Sequence, residues 1–117
     1  MKEYPFRPGT FYPKGYTREG ALSSVGDGWA GLVNEAFDKL EQFGEHIVID
    51  QVKEKYGGLR IYTSPYHEEF EKVIQDLEVR SFTICEDCGK PGALRSGGWY
   101  RTLCDEHAGD RPKIEPF

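Results

Sequence analysis

Apolar positions in the first two thirds of the chain follow two different periods. Trp29, Leu32, Val33, Ala36, Phe37, Leu40 and Phe43 recur at three- and four-residue steps, which places them on one face of a helix over 28–43. Asp27 stands where an N-cap is needed and Gly44 where a helix stops. Asn34, Glu35, Asp38 and Glu41 make the opposite, solvated face. From His46 to Lys53 (HIVIDQVK) the pattern becomes β-branched, and Leu59 to Thr63 (LRIYT) repeats it. These segments predict two antiparallel strands. Glu54–Gly58 connects them, with Gly57 and Gly58 expected to supply the positive φ of the turn. Ser64 and Pro65 carry the N-cap and first-position chemistry of a second helix. Its buried stripe is Phe70, Val73, Ile74 and Leu77, and it should end near Ser81.

Ahead of these elements, Tyr4, Pro5, Phe6, Pro8, Phe11, Tyr12, Pro13 and Tyr16 interleave rings with proline. Proline fixes φ and removes a donor, so neither a helix nor a central strand fits there. The expectation is an extended arm over residues 1–25, laid on an α-β-β-α core at 26–82. A zinc module and tail follow at 83–117.

That last assignment rests on Cys85-x-x-Cys88, fifteen intervening residues, and Cys104-x-x-His107. Two ligands separated by two residues can turn back onto one ion, and two such pairs complete a tetrahedron. Three thiolates and one imidazole suit Zn²⁺. Gly89 lets the knuckle turn, Arg95–Leu103 reads as a short hairpin, and Cys104 and His107 fall on the first turn of a helix. Knuckle, hairpin and helix in that order resemble the treble-clef class of zinc fingers. Four protein ligands leave no open position, so the ion is structural. The fold class is α+β: a helix–β-hairpin–helix core with a C-terminal treble-clef-like zinc module.

Composition narrows the rest. A chain of 117 residues with 38% apolar and 30% charged side chains supports one modest core. Three cysteines cannot all pair with one another as disulfides, which favours a reducing compartment. The opening residues lack an apolar signal-peptide core and no stretch is long enough to span a membrane. A cytoplasmic setting is expected. Net charge of −5 argues against nonspecific coating of nucleic acid, so any anion site must be local. Two stretches could provide one. In VKEKYGGLRIY, Lys53, Lys55 and Arg60 flank Gly57 and Gly58, whose backbone N–H groups could approach an anion, and Tyr56 could stack; the alternative is a tight hairpin with solubilising charge. In KPGALRSGGWYR, Arg95 and Trp99 lie among three basic residues and no acid; the alternative is that Trp99 seals the small module against Leu103. A catalytic set does not assemble. His46 falls at a strand start and His67 in the first turn of a helix, and Ser23 and Ser24 sit in a loop without an evident base.

The run QVKEKYGGLRIY, a helix, and then CEDCGKPGALRSGGWYRTLCDEHA together resemble a family of short uncharacterised proteins found in bacteria, bacteriophages and prophages. The resemblance covers roughly residues 26–108. It implies the ligand set Cys85, Cys88, Cys104 and His107, marks KEKYGGLR as a hallmark, and implies no particular activity. A phage setting would place the protein in host cytoplasm, with inhibition of a host or defence protein as a natural role. The LC-x-x-HA ending is similar to zinc-supported HNH-type nucleases, although the histidine pair and asparagine of such enzymes are missing. The leading expectation is a non-enzymatic, zinc-stabilised protein that binds a nucleotide or nucleic acid. A protein-interaction module and a degenerate nuclease relative are the alternatives.

Overall fold

The computed structural model describes residues 15–43 and 47–115. Helix α1 (Arg18–Ser23) is followed by a 3₁₀ turn (Asp27–Trp29) and helix α2 (Ala30–Leu40). Strands β1 (Val48–Lys55) and β2 (Gly58–Ser64) make an antiparallel pair, and helix α3 (Glu68–Ser81) returns across it. A second pair, β3 (Ala93–Arg95) and β4 (Arg101–Leu103), leads into the short helix α4 (Asp105–Ala108). The α+β architecture expected from the sequence is present.

The core is the apolar stripe of α2 and α3 closed over one face of β1–β2. Trp29, Val33, Ile49, Val52, Leu59, Phe70, Ile74 and Leu77 are all fully buried within it. A β-bulge between Ile49 and Gln51 re-phases β1, so that Ile49 and Val52 both face inward although three positions apart. Ser81, at the end of α3, is a buried hydroxyl that both donates and accepts. Its Oγ accepts from the Leu59 N–H (2.9 Å) and donates to the Glu78 carbonyl (2.6 Å).

Several expected boundaries move. Residues 18–23 are helical instead of part of an extended arm: Thr17 Oγ1 accepts from the Gly20 N–H at 3.0 Å and caps α1. Arg18 then reaches α2, donating to Asn34 and Asp38 and lying over the Phe37 ring. Tyr16 is buried, with its N–H donating to the Ile49 carbonyl; residues 1–14 and 44–46, and with them Gly44 and His46, lie outside the described residues. Asp27 does not cap α2; it opens the 3₁₀ turn. Helix α3 begins at Glu68, because the β1–β2 ladder claims Ser64 opposite Val48. Its cap is His67, whose Nδ1 accepts from the Phe70 N–H at 3.3 Å. Finally, the β1–β2 turn is tighter than expected. Positive φ falls on Tyr56 (53°) and Gly57 (84°), and Gly58 is already in the strand, the pattern of a two-residue type I′ hairpin.

Candidate functional site

The knuckle at Cys85–Gly89 is folded by backbone bonds before any metal is considered. The Gly89 N–H donates to the Cys85 carbonyl and the Cys85 N–H to the Lys90 carbonyl, both at 2.8 Å. Gly89 has φ +80°, which is why glycine follows the second cysteine. Across the β3–β4 hairpin, Cys104 sits at the N-cap of α4 and His107 within it. The four ligand atoms thereby lie within 4.8 Å of one another.

Their separations can be compared with a tetrahedral zinc site. Bonds of about 2.3 Å to sulfur and about 2.05 Å to nitrogen require S···S near 3.8 Å and S···N near 3.6 Å. Cys88 Sγ and Cys104 Sγ are 3.7 Å apart; His107 Nδ1 lies 3.7 Å from Cys85 Sγ and 3.2 Å from Cys104 Sγ. No pair among the cysteines is a disulfide. Electrostatics point the same way. Burial pushes the Cys85 thiol up, but N–H donors from Cys104, Cys88 and Asp87 outweigh it and hold the group at about 6. The Lys90 N–H favours the Cys88 thiolate, yet burial and the neighbouring sulfurs of Cys85 and Cys104 leave its pKa raised. Bonds to the Cys104 and Cys85 sulfurs raise His107. Crowded sulfurs that resist common ionisation are what a divalent cation relieves. The donor set fits a structural zinc ion.

The module is not appended loosely. Gly28 N–H donates to the Glu86 carbonyl (2.9 Å), and Trp29 Nε1 donates to the Ile84 carbonyl (2.8 Å). A Cβ on Gly28 would overlap the Cys85 carbonyl and come within 2.6 Å of Gly89 N. On the other side, Thr102 Oγ1 donates to the Gly57 carbonyl at 2.7 Å. A Cβ on Gly57 would press on Leu94 and lie 3.2 Å from Arg101 N, and one on Gly58 would strike the Phe82 ring.

These contacts reassign the glycine pair. Gly57 and Gly58 are buried, and the Gly57 N–H donates to Glu54 Oε2 at 2.7 Å. Gly57 admits the zinc module to the hairpin and Gly58 admits the Phe82 ring at the end of α3, so the pair presents no open backbone to an anion. Lys53, Lys55, Tyr56 and Trp99, by contrast, share one groove of about 450 Å³ with Glu54, Glu86, Tyr100 and Arg101. Trp99 is 85% exposed and Tyr56 63%, so Trp99 seals nothing. The module's buried cluster is Cys85, Leu103, Cys104 and Ala108. Arg95 is withdrawn from the groove: its guanidinium is buried, donating to the Leu103 carbonyl and, at 2.8 Å, to Asp105. Arg60 stands opposite Lys53 in the ladder but does not line the groove, and its Nε is buried without a hydrogen-bond partner.

Sequence reasoning passed over Glu86, a buried carboxylate that binds Arg101 Nε at 2.9 Å and is raised by burial against that pairing. It also passed over Arg111, whose guanidinium donates to the Trp99 carbonyl at 2.6 Å. Only the basic, aromatic character of KPGALRSGGWYR hinted at Tyr100 and Arg101 as groove residues. No helix among the described residues is long and apolar enough to cross a membrane. Comparison with known protein families, curated proteins and solved structures finds no match for this chain.

Proposed function

We propose that this is a zinc-stabilised binding protein whose ligand carries phosphate, as a nucleotide or a nucleic acid, and that it binds without catalysing a reaction. The observation that supports the reading is the shared groove, in which Lys53 and Lys55 from the hairpin stand beside Tyr56 and the zinc module's Trp99. Neither lysine makes an ion pair among the described residues, and their ammonium groups rest over the Tyr62 and Tyr56 rings, each at 5.7 Å from the centroid. Arg101 is already committed to Glu86 and Asp87, so the lysines hold the groove's uncommitted positive charge. Ring faces for a base and ammonium groups for its phosphate are the two elements such ligands require.

The test is thermal stabilisation of the zinc-loaded chain by nucleoside triphosphates and short oligonucleotides, with inorganic phosphate as the minimal probe. A rise in melting temperature that weakens with added salt and is abolished in the Lys53→Ala/Lys55→Ala double variant supports the reading. A melting temperature indifferent to every phosphate-bearing probe refutes it.

A further inference from the structure

The groove has more ring surface than a single base can use. Tyr56 on the β1–β2 hairpin and Trp99 and Tyr100 on the β3–β4 loop all line it and are exposed, while Tyr62 is exposed on β2 outside the lining. The loop backbone that carries Trp99 and Tyr100 is also held in place. Arg111 binds the Trp99 carbonyl, while the tail alongside β3 fastens the loop's base through Ser96 N–H to the Pro112 carbonyl and Ile114 N–H to the Leu94 carbonyl. The ammonium groups of Lys53 and Lys55 lie over the rings of Tyr62 and Tyr56. An open groove lined by three exposed rings and two lysines matches a chain of bases joined by phosphates.

Duplex is a poor fit to the same surface. Its base faces are already stacked, so Trp99 would have nothing to cover. Helix α4 is only four residues long and exposes Asp105 and Glu106, so it is neither long enough nor of the right charge to enter a major groove. Glu54 and Glu86 also line the groove, so two uncommitted lysines are thin cover for the dense charge of two strands.

Resting on the phosphate-ligand reading above, we infer that the occupant is an unpaired nucleic-acid strand, bound by stacking across the hairpin and the zinc module. With two phosphates neutralised, the logarithm of affinity should fall with the logarithm of salt at a slope of about −1.4, a loss of about sevenfold between 50 and 200 mM.

Intrinsic fluorescence reads this directly. Trp29 is buried and fixed to the Ile84 carbonyl, whereas Trp99 is the exposed indole. The zinc-loaded full chain is titrated with oligothymidylate, oligouridylate, a mixed-sequence duplex and a mononucleotide. The expected result is quenching by one or both single strands, at least roughly tenfold weaker binding of the mononucleotide, and no quenching by duplex. Trp99→Ala should weaken strand binding on the order of tenfold, while Trp99→Phe keeps most of it as measured by competition. Both variants should retain zinc and melting temperature, since the side chain is exposed. A mononucleotide that binds as tightly as the strands, a duplex that quenches equally, or a Trp99→Ala variant of unchanged affinity would overturn the inference and leave the phosphate-ligand reading standing. Failure of every probe to bind would remove both.

Discussion

Around Trp29, Phe70, Ile74 and Leu77 the chain closes a hydrocarbon core, whereas the buried cluster of the C-terminal third consists of Leu103, Ala108 and two cysteines. Burying one large apolar side chain stabilises by about 1.5–3 kcal/mol. On that scale the first region holds itself together and the second does not. A structural zinc ion contributes an apparent 10–16 kcal/mol or so to domains of this kind, enough to order β3, β4 and α4. The contrast shows how a short chain can extend its folded surface beyond what its apolar residues support. One region folds by excluding water, and the other by gathering four ligand atoms at a point.

The largest effect should come from the metal. Chelation, or Cys104→Ser, is expected to release amide protection at 93–95 and 101–103 while α2 and α3 keep theirs, as followed by hydrogen exchange. Persistent protection of the β3–β4 hairpin after complete zinc removal would erase the distinction. Next, Phe70→Ala should cost about 3–5 kcal/mol in denaturant unfolding, because the ring is fully buried between the helices and the sheet. Zinc stoichiometry in that variant should stay at one per chain. Gly28→Ala probes the seam itself. Its methyl group would overlap the Cys85 carbonyl, and a loss of about 1–3 kcal/mol is expected from the forced displacement, together with faster zinc transfer to a chromogenic chelator. The smallest effect concerns Glu78. Burial raises its carboxyl, with the Ile61 N–H and Arg60 pulling the other way. A raised acid favours its proton in the folded state, so its contribution is full below the ordinary carboxylate range near pH 4 and lost as pH climbs through the raised value. Glu78→Gln should lessen the loss of stability as pH rises above about 4, with Ile61 N–H still met by the amide oxygen.

The two regions also differ in how openly the sequence displayed them. Metal ligands are encoded locally: Cys85 and Cys88, then Cys104 and His107, each stand at a spacing only a shared ion explains well, and the four meet as expected. Strand and helix periods located β1, β2, α2 and α3 because burial of one face forces a repeat. The seam between the regions was not legible. Nothing in a Gly57-Gly58 pair distinguishes an anion cradle from a place where a second hairpin and the Phe82 ring must come close, since both need the same missing side chain. Arg95 and Lys55 look equally available in the sequence. Only the fold shows that one is spent on Leu103 and Asp105 while the other faces the groove. Ser64 followed by Pro65 carries the local chemistry of a helix start, but the longer-range pairing with Val48 outweighed it.

Thr102 on Gly57 and Gly28 on Glu86 fasten the zinc-binding third at two separated points, besides the covalent join after α3. A rigid body pinned this way can neither swivel nor slide. This finger is therefore not a portable cassette: spliced onto another scaffold it would keep its ion but lose its seat, and the rings it shares with its neighbour would no longer line up.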